Sequence, residues 1–273
     1  MICAICSGDS SLKFEAEVLF KHKVKYYKCE NCGLMQTEKP YWLEEAYKKA
    51  ITSTDIGLIS RNISTSNIVF NLIVNHFDTT KRVLDFGGGY GILVRLLRDR
   101  GLDFYRQDIY CENIFAVNHD ITDLNKQDHK FEMVTCFEVF EHTYEPIKLF
   151  EELQGYADNI LISTLLVPDW PMINDEDWWY FSSHTGQHVM FYTERALKIL
   201  GEKFNMNLYS NGQDFHLFTR KKFSSNPLIY KNRFADKLKH KIIQYLNPNK
   251  PLKISLIEND LRIARTKAHD GDK

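Results

Sequence analysis

The chain has 273 residues, 44% of them hydrophobic and 13% aromatic, enough for one α/β domain of about 150–200 residues with appendages. No apolar run approaches the ~18 residues of a membrane span, and Met1-Ile2-Cys3 leads into cysteines rather than a basic segment and an apolar core; neither a transmembrane segment nor a secretion signal is expected, and the reading is a soluble cytoplasmic protein. The net charge of −1 conceals an asymmetry, since residues from Arg220 onward carry 14 Lys+Arg against 5 Asp+Glu, a basic tail open to plain solvation or to nucleic acid, anionic membrane surface or phosphorylated glycans.

The first feature along the chain is a pair of C-x-x-C motifs, Cys3/Cys6 and Cys29/Cys32. Two such knuckles can set four thiolates tetrahedrally around one zinc ion, with Gly8 and Gly33 just beyond each pair for the turns. Disulfide pairing is disfavoured without an export signal, and redox or iron use is a further reading. Between the knuckles, Val18-Leu19-Phe20 and Val24-Lys25-Tyr26-Tyr27 are β-prone and predict a small ribbon. Cys111 and Cys136 stand alone.

Tyr41 to His76 reads as helix linking the ribbon to the core. Tyr47, Asp55 and Arg61 lie in it, Arg61 being open to a carboxylate or phosphate as well as to an ordinary salt bridge. Next comes Val83-Leu84-Asp85-Phe86-Gly87-Gly88-Gly89-Tyr90-Gly91, an apolar strand and a glycine-rich turn, then a helix to about Arg100. Glycines 87, 89 and 91 let the backbone approach a ligand, and the helix start supplies free N–H groups, as in a dinucleotide fingerprint. Asp85 argues against a pyrophosphate on charge grounds and for S-adenosylmethionine, whose ammonium and sulfonium welcome a nearby anion.

Strand and helix then alternate: Phe104–Asp108, Phe131–Cys136, a helix around Ile147–Leu153, a strand Asn159–Leu165 and a helix Arg195–Phe204. Two final strands, Asn207–Ser210 and Phe215–Thr219, are joined by Asn211-Gly212-Gln213-Asp214. The alternation predicts a parallel sheet covered on both faces, closed by a hairpin. Glu138-Val139-Phe140-Glu141-His142 follows the Phe131–Cys136 strand, where an open α/β sheet places its ligands.

On the glycine loop, Asp108 and the terminal hairpin, residues 45–222 resemble a class I S-adenosylmethionine-dependent methyltransferase. The resemblance implies a Rossmann-like sheet of seven strands with the last one antiparallel. It also implies cofactor binding by Asp85, Gly87, Gly89 and Gly91, by Asp108 on the ribose hydroxyls, and by Asp120 near the adenine amine. A strand-end cap is the plain reading of Asp108.

The paired C-x-x-C motifs further resemble those of bacterial capsule-sugar and deoxysugar methyltransferases. Trp178-Trp179-Tyr180-Phe181-Ser182-Ser183-His184 through His188-Val189-Met190-Phe191-Tyr192-Thr193 resembles their substrate-facing insertion. The long C-terminal domain of the sugar C-methyltransferases is not matched here, which favours oxygen over carbon as the acceptor. The E-x-x-E-H spacing of Glu138, Glu141 and His142 resembles that of small-RNA 2′-O-methyltransferases and ubiquinone-pathway O-methyltransferases. There it helps hold a divalent ion, and His188 would be the further histidine of the RNA enzymes. Mn²⁺, Fe²⁺ or Mg²⁺ would suit this set. A metal-free centre with His188 or His142 as general base, and a purely structural Glu138 set, stand beside that reading. Trp170, Trp178, Trp179, Tyr180, Phe181 and Tyr192 are open to a sugar-facing role or to lid packing.

The expected organisation is a zinc-binding ribbon (1–40), a methyltransferase domain (41–222) and a basic extension (223–273). The expected function is O-methyl transfer from S-adenosylmethionine to a sugar hydroxyl, on a nucleotide sugar or glycan of capsule or lipopolysaccharide, with Glu141, His142 and His188 catalytic. Sugar C-methylation and RNA modification, through the ribbon and basic tail, are the alternatives, along with an interaction-only relative.

Overall fold

The computed structural model describes residues 1–47, 56–229, 255–260 and 262–263. Asp55 and most of the basic extension lie outside them. The strands in chain order are β1 (Ser10–Val18), β2 (His22–Cys29), β3 (Met35–Thr37), β4 (Val83–Phe86), β5 (Phe104–Gln107), β6 (Met133–Phe137), β7 (Asn159–Ser163), β8 (Met190–Phe191), β9 (Asn207–Ser210) and β10 (Phe215–Thr219). The helices are α1 (Leu43–Ala46), α2 (Leu58–His76), α3 (Ile92–Arg98), α4 (Pro146–Tyr156) and α5 (Glu194–Lys203).

β1 and β2 form an antiparallel hairpin because their apolar residues alternate. Phe14, Ala16 and Val18 point inward while Glu15 and Glu17 face water. Leu19 and Phe20, expected in the strand, turn the hairpin with φ of 53° and 59°. β3 pairs with β2, and β8, from the insertion after β7, pairs with β3. The ribbon sheet is therefore completed by a strand from the far half of the chain.

The second sheet runs β5-β4-β6-β7-β10-β9. The first four strands are parallel, and β10 is antiparallel to both its neighbours. This is the expected Rossmann-like methyltransferase sheet, with one difference in strand count. Beyond β5 the seventh strand is reduced to a single parallel bridge between Arg106 and Asp120. The segment between Asp108 and Asp120 is shorter than the dozen or so residues a helical crossover needs.

The buried strands carry near-continuous apolar runs, as a sheet covered on both faces requires. On one face α2 and α3 pack Val69, Leu72, Ile73, Val94 and Leu97 against Val83, Phe104 and Met133. On the other, α4 and α5 pack Phe150, Leu153, Leu197 and Leu200 against Leu84, Val134 and Ile160. Cys3, Ile5, Cys29, Cys32 and Leu34 of the ribbon join this second cluster, so the ribbon shares a core with the catalytic sheet. No helix among the described residues is long and apolar enough to cross a membrane.

Candidate active site and four-cysteine knuckle

The glycine loop leaves β4 at Phe86 and enters α3 at Ile92, with Gly87, Gly89 and Gly91 all at positive φ (70°, 54° and 85°). A Cβ at Gly87 would lie 2.6 Å from Val139, and one at Gly91 would lie 2.7 Å from Ala116, so both glycines let neighbouring loops close in. Gly89 differs: a Cβ there would meet nothing within 4 Å. Its backbone faces open space, where a cofactor can approach. Asp85 is buried beneath the loop, with Oδ1 accepting from the Thr135 hydroxyl at 2.7 Å. Burial pushes its carboxyl up to about 7.

Asp108 follows β5, and its carboxylate holds the loop together. Oδ2 accepts from Gly89 N at 2.9 Å, and Oδ1 accepts from Tyr110 N and Cys111 N at 2.7 and 2.8 Å. Asp120 caps the turn Ile121–Asp123 and accepts from Arg106 Nη1 at 2.7 Å. Arg106 was not anticipated from sequence. Its buried guanidinium also donates from Nε to Gly89 O at 2.6 Å and from Nη2 to Cys111 O, tying three loops at the strand ends into one rim. The available signal was an arginine at an inward position of β5, two residues after the buried Phe104.

Glu138, Glu141 and His142 lie after β6, where the chain turns through a left-handed residue, Glu138 at φ 53°, a conformation that costs a non-glycine side chain energy. Glu138 accepts from the Ser163 hydroxyl at 2.7 Å; it feels the charge of Glu141, and His142 feels its own. Glu141, His142 and His188 converge, offering ligand atoms all within 4.8 Å of one another. His142 Nδ1 is 3.1 Å from Gln187 O, and His188 Nδ1 is 2.7 Å from Tyr180 O. A carbonyl only accepts, so each Nδ1 carries the proton and each Nε2 keeps its lone pair. Glu141 Oε1 accepts from Tyr180 at 2.7 Å, while Oε2 is buried with no hydrogen-bond partner among the described residues.

Burial raises Glu138, helped by the charge of Glu141, and raises Glu141, each to about 7; Arg61 on α2 opposes both shifts. Burial also holds His142 below its usual range, and burial with the neighbouring His142 pushes His188 down to about 3. Both imidazoles are thus kept neutral, the form in which a histidine can act as a ligand.

Of the aromatic residues read as sugar-facing or lid, Trp178, Tyr180, Phe181 and Tyr192 are buried, while Trp170 and Trp179 are 56% and 74% exposed. Tyr47 stacks on Tyr110 and meets the edge of His142, with ring centroids 5.4 and 6.1 Å apart, bridging the cofactor loop and the Glu141 cluster. His184 is exposed.

The four ribbon cysteines also converge within 4.8 Å of one another and form no disulfide. Cys3 and Cys32 Sγ are 3.5 Å apart, and Cys6 and Cys29 Sγ are 3.4 Å apart. Four thiolates about 2.3 Å from one zinc ion require S···S spacings only slightly wider. Hydrogen bonding from Cys32 pulls the Cys3 thiol down to about 5 and raises Cys32 in turn. The knuckle turns differ from the expected pattern in one place: Gly33 has φ 74°, but in the first knuckle Ser7, not Gly8, takes the left-handed conformation, at 59°. Gly8 instead leaves room for Asn31 and the Cys6 sulfur, each 3.3 Å from where its Cβ would lie.

A family model described as a methyltransferase domain matches residues 65–211, more than half of the chain. The chain belongs to this methyltransferase family. A search of curated proteins found no significant match. Solved structures similar to this methyltransferase include magnesium protoporphyrin IX methyltransferase from Synechocystis with bound S-adenosylmethionine. That comparison gives 14% identity over 67% of this chain and 93% of that one, with a TM-score of 0.39. The plantazolicin methyltransferase shares 17% identity over 72% of this chain and 87% of its own (TM-score 0.44). The mitomycin 7-O-methyltransferase shares 11% over 66% and 60% (TM-score 0.41). These likenesses carry no information about the substrate.

Proposed function

We propose that this methyltransferase moves the methyl group of S-adenosylmethionine to a sugar hydroxyl, on a nucleotide sugar or a glycan of capsule or lipopolysaccharide. The observation that carries oxygen as the acceptor is the Glu141 cluster: two neutral imidazoles with Nε2 unprotonated and a carboxylate oxygen without a partner. That donor set fits a divalent cation such as Mn²⁺, Fe²⁺ or Mg²⁺. A cation held there would lower the pKa of an alcohol and orient its oxygen. The sugar is supported by the resemblance of the 178–193 insertion and by Trp179, an exposed flat face next to the buried Tyr180.

In this reading Asp85 and Gly87, Gly89 and Gly91 seat the methionine end of the cofactor. Asp108 and Asp120 border the ribose and adenine, with Arg106 bracing the rim between them. S-adenosylmethionine supplies a methyl group on a positively charged sulfur; the acceptor oxygen takes that methyl in line, its hydroxyl proton passes to water, and the sulfur leaves with the C–S electron pair as adenosylhomocysteine. Glu141, His142 and His188 hold that oxygen, and Gln187 and Tyr180 fix the imidazoles by accepting from their Nδ1–H groups. Glu138 belongs to the surroundings of this centre rather than to its donor set. Cys3, Cys6, Cys29 and Cys32 hold a structural zinc ion that anchors the ribbon to the catalytic core.

The test is a screen of nucleotide sugars for labelled methyl incorporation, first with chelator and then with each cation restored. Incorporation that chelator abolishes and one of the three cations restores is expected. Methyl transfer to carbon or to RNA, or transfer indifferent to chelator, would overturn the corresponding part.

A further inference from the structure

Two adjoining cavities of about 510 and 250 Å³ lie where the ribbon meets the catalytic half, both lined by Lys13, Lys28, Gly33 and Thr193. They make one groove with unlike walls. The ribbon wall is cationic. Lys28 lies on β2, and Lys13 sits at the irregularity between Leu12 and Phe14 of β1, the kind of bulge that re-aims a side chain. Both lysines are exposed, and neither enters an ion pair among the described residues. The smaller cavity is also lined by the loop Val167-Pro168-Asp169-Trp170-Pro171-Met172, apolar except for Asp169. Trp170 is 56% exposed and stacks on no other ring among the described residues.

The other charged groups lining the two cavities are Glu30, Arg195 and Asp169. Glu30 takes the Ser11 hydroxyl, and Arg195 donates to Asn31. Asp169 lies in the loop beside Trp170. A solvated lysine pair is ordinary by itself, and so is an exposed tryptophan. Lining one cavity of small-molecule size together, they match a ligand with a flat ring at one end and a compact anion at the other.

We infer that this groove binds a nucleoside diphosphate, its base on the Trp170 face and its pyrophosphate on the Lys13 and Lys28 ammonium groups. The inference rests on the nucleotide-sugar form of the proposed function and assigns the handle by which that acceptor is held. The placement agrees with such a role. The loop bearing Trp170 runs into the insertion bearing Tyr180 and His188, and Met172 packs in the same cluster as Trp178 and Tyr180, whose hydroxyl contacts Glu141. One side of the groove and one member of the cluster, His188, therefore belong to the same insertion, and Tyr180 of that insertion reaches Glu141.

Titration calorimetry on the full chain with UDP, GDP, dTDP, ADP and inorganic pyrophosphate tests this directly. At least one nucleoside diphosphate should bind, more weakly as salt rises. Binding should fall by about tenfold or more in a Lys13→Glu/Lys28→Glu variant and severalfold in Trp170→Ala, with S-adenosylmethionine affinity and bound zinc unchanged. Pyrophosphate alone should bind more weakly and ignore Trp170→Ala. If the charge reversal impairs folding, Lys13→Gln/Lys28→Gln replaces it, with the same loss expected.

Absence of nucleotide binding at millimolar ligand, or binding indifferent to all three side chains, overturns the inference. The two readings fail separately. Nucleotide binding lost in the lysine variants, with no nucleotide sugar ever methylated, keeps the groove and sinks the acceptor. Methylation of a sugar with a KM that the lysine variants leave unmoved keeps the acceptor and sinks the groove.

Discussion

Tyr180 donates its hydroxyl to Glu141 Oε1 at 2.7 Å, while the other oxygen of the same carboxylate is buried with no donor among the described residues. An orphaned buried acceptor destabilises a fold unless something else fills the site. Removing the charge while keeping the shape should therefore separate stability from function. Glu141→Gln is expected to raise the melting temperature of cation-free protein by a few degrees, since 1 kcal/mol is worth about 2–4 °C in a domain this size. The same change should lower turnover by about a hundredfold or more. A variant that melts earlier than wild type in chelator, or that keeps its turnover, contradicts this role.

His188→Ala should abolish turnover while S-adenosylmethionine still binds, because His188 meets the Glu141 cluster and the Tyr180 carbonyl rather than the glycine loop. Calorimetry with adenosylhomocysteine beside a methyl-transfer assay reads the two separately. Unchanged activity removes His188 from the mechanism, and lost cofactor binding shows that it acts through the fold.

The sheet, the glycine loop and the four cysteines were legible in the chain because each rests on a local pattern: apolar runs at strand length, glycines where φ must be positive, thiols at knuckle spacing. What escaped depends on partners far apart in sequence. Arg106 meets Gly89 and Asp120 across 17 and 14 residues, and no spacing rule predicts a guanidinium there. The aromatic run after Trp170 showed its composition but not its sides, since Phe181 meets the ribbon's Phe14 and Tyr26 while Trp179 faces solvent. The shortened crossover after Asp108 was visible in length alone, yet the methyltransferase resemblance implied a full set of seven strands. Glu138 shares the E-x-x-E-H spacing, and at its left-handed position it accepts from the Ser163 hydroxyl, a partner the spacing does not predict.

Arg106 braces the cofactor rim with a fork of donors, a geometry that lysine cannot reproduce. Arg106→Lys should weaken S-adenosylmethionine binding by roughly tenfold, about 1.4 kcal/mol. It should raise the KM for the cofactor and leave that for the acceptor alone. A general loss of stability without this split would make Arg106 a packing residue only.

Asp260, in the basic extension, docks on the catalytic half through buried charge. It accepts from Arg98 Nε and Nη2 at 2.9 and 2.8 Å, and lies 2.9 Å from Arg95 Nη2 and 3.3 Å from His119 Nε2. Arg98 keeps Asp103 and the Phe104 carbonyl as other partners. Removing one side of a buried pair leaves the other uncompensated. Asp260→Ala should therefore cost about 3 kcal/mol in chemical denaturation, near the low end for such pairs because those partners remain. A loss within a few tenths of a kcal/mol would mean the contact is marginal in solution.

Asp85 should give the protein a pH dependence of definite sign. Its carboxyl sits near 7 when folded and near 3.9 when unfolded. Between those values the folded state retains a proton that the unfolded state has released, so this group makes stability fall as pH rises from about 4 to 7, with its full penalty present above 7. His119 and His216, held by burial at about 4, act oppositely. Between about 4 and 6.5 the unfolded chain takes up protons they refuse, so they make stability rise with pH. The two contributions overlap in wild type, and a variant isolates the first. Asp85→Asn retains an acceptor for the Thr135 hydroxyl but has no proton to lose. The melting temperature of Asp85→Asn minus that of wild type should therefore climb steadily from pH 4.5 to 7.5 and level off above. A difference that stays flat across that range would show Asp85 already ionised in the folded protein.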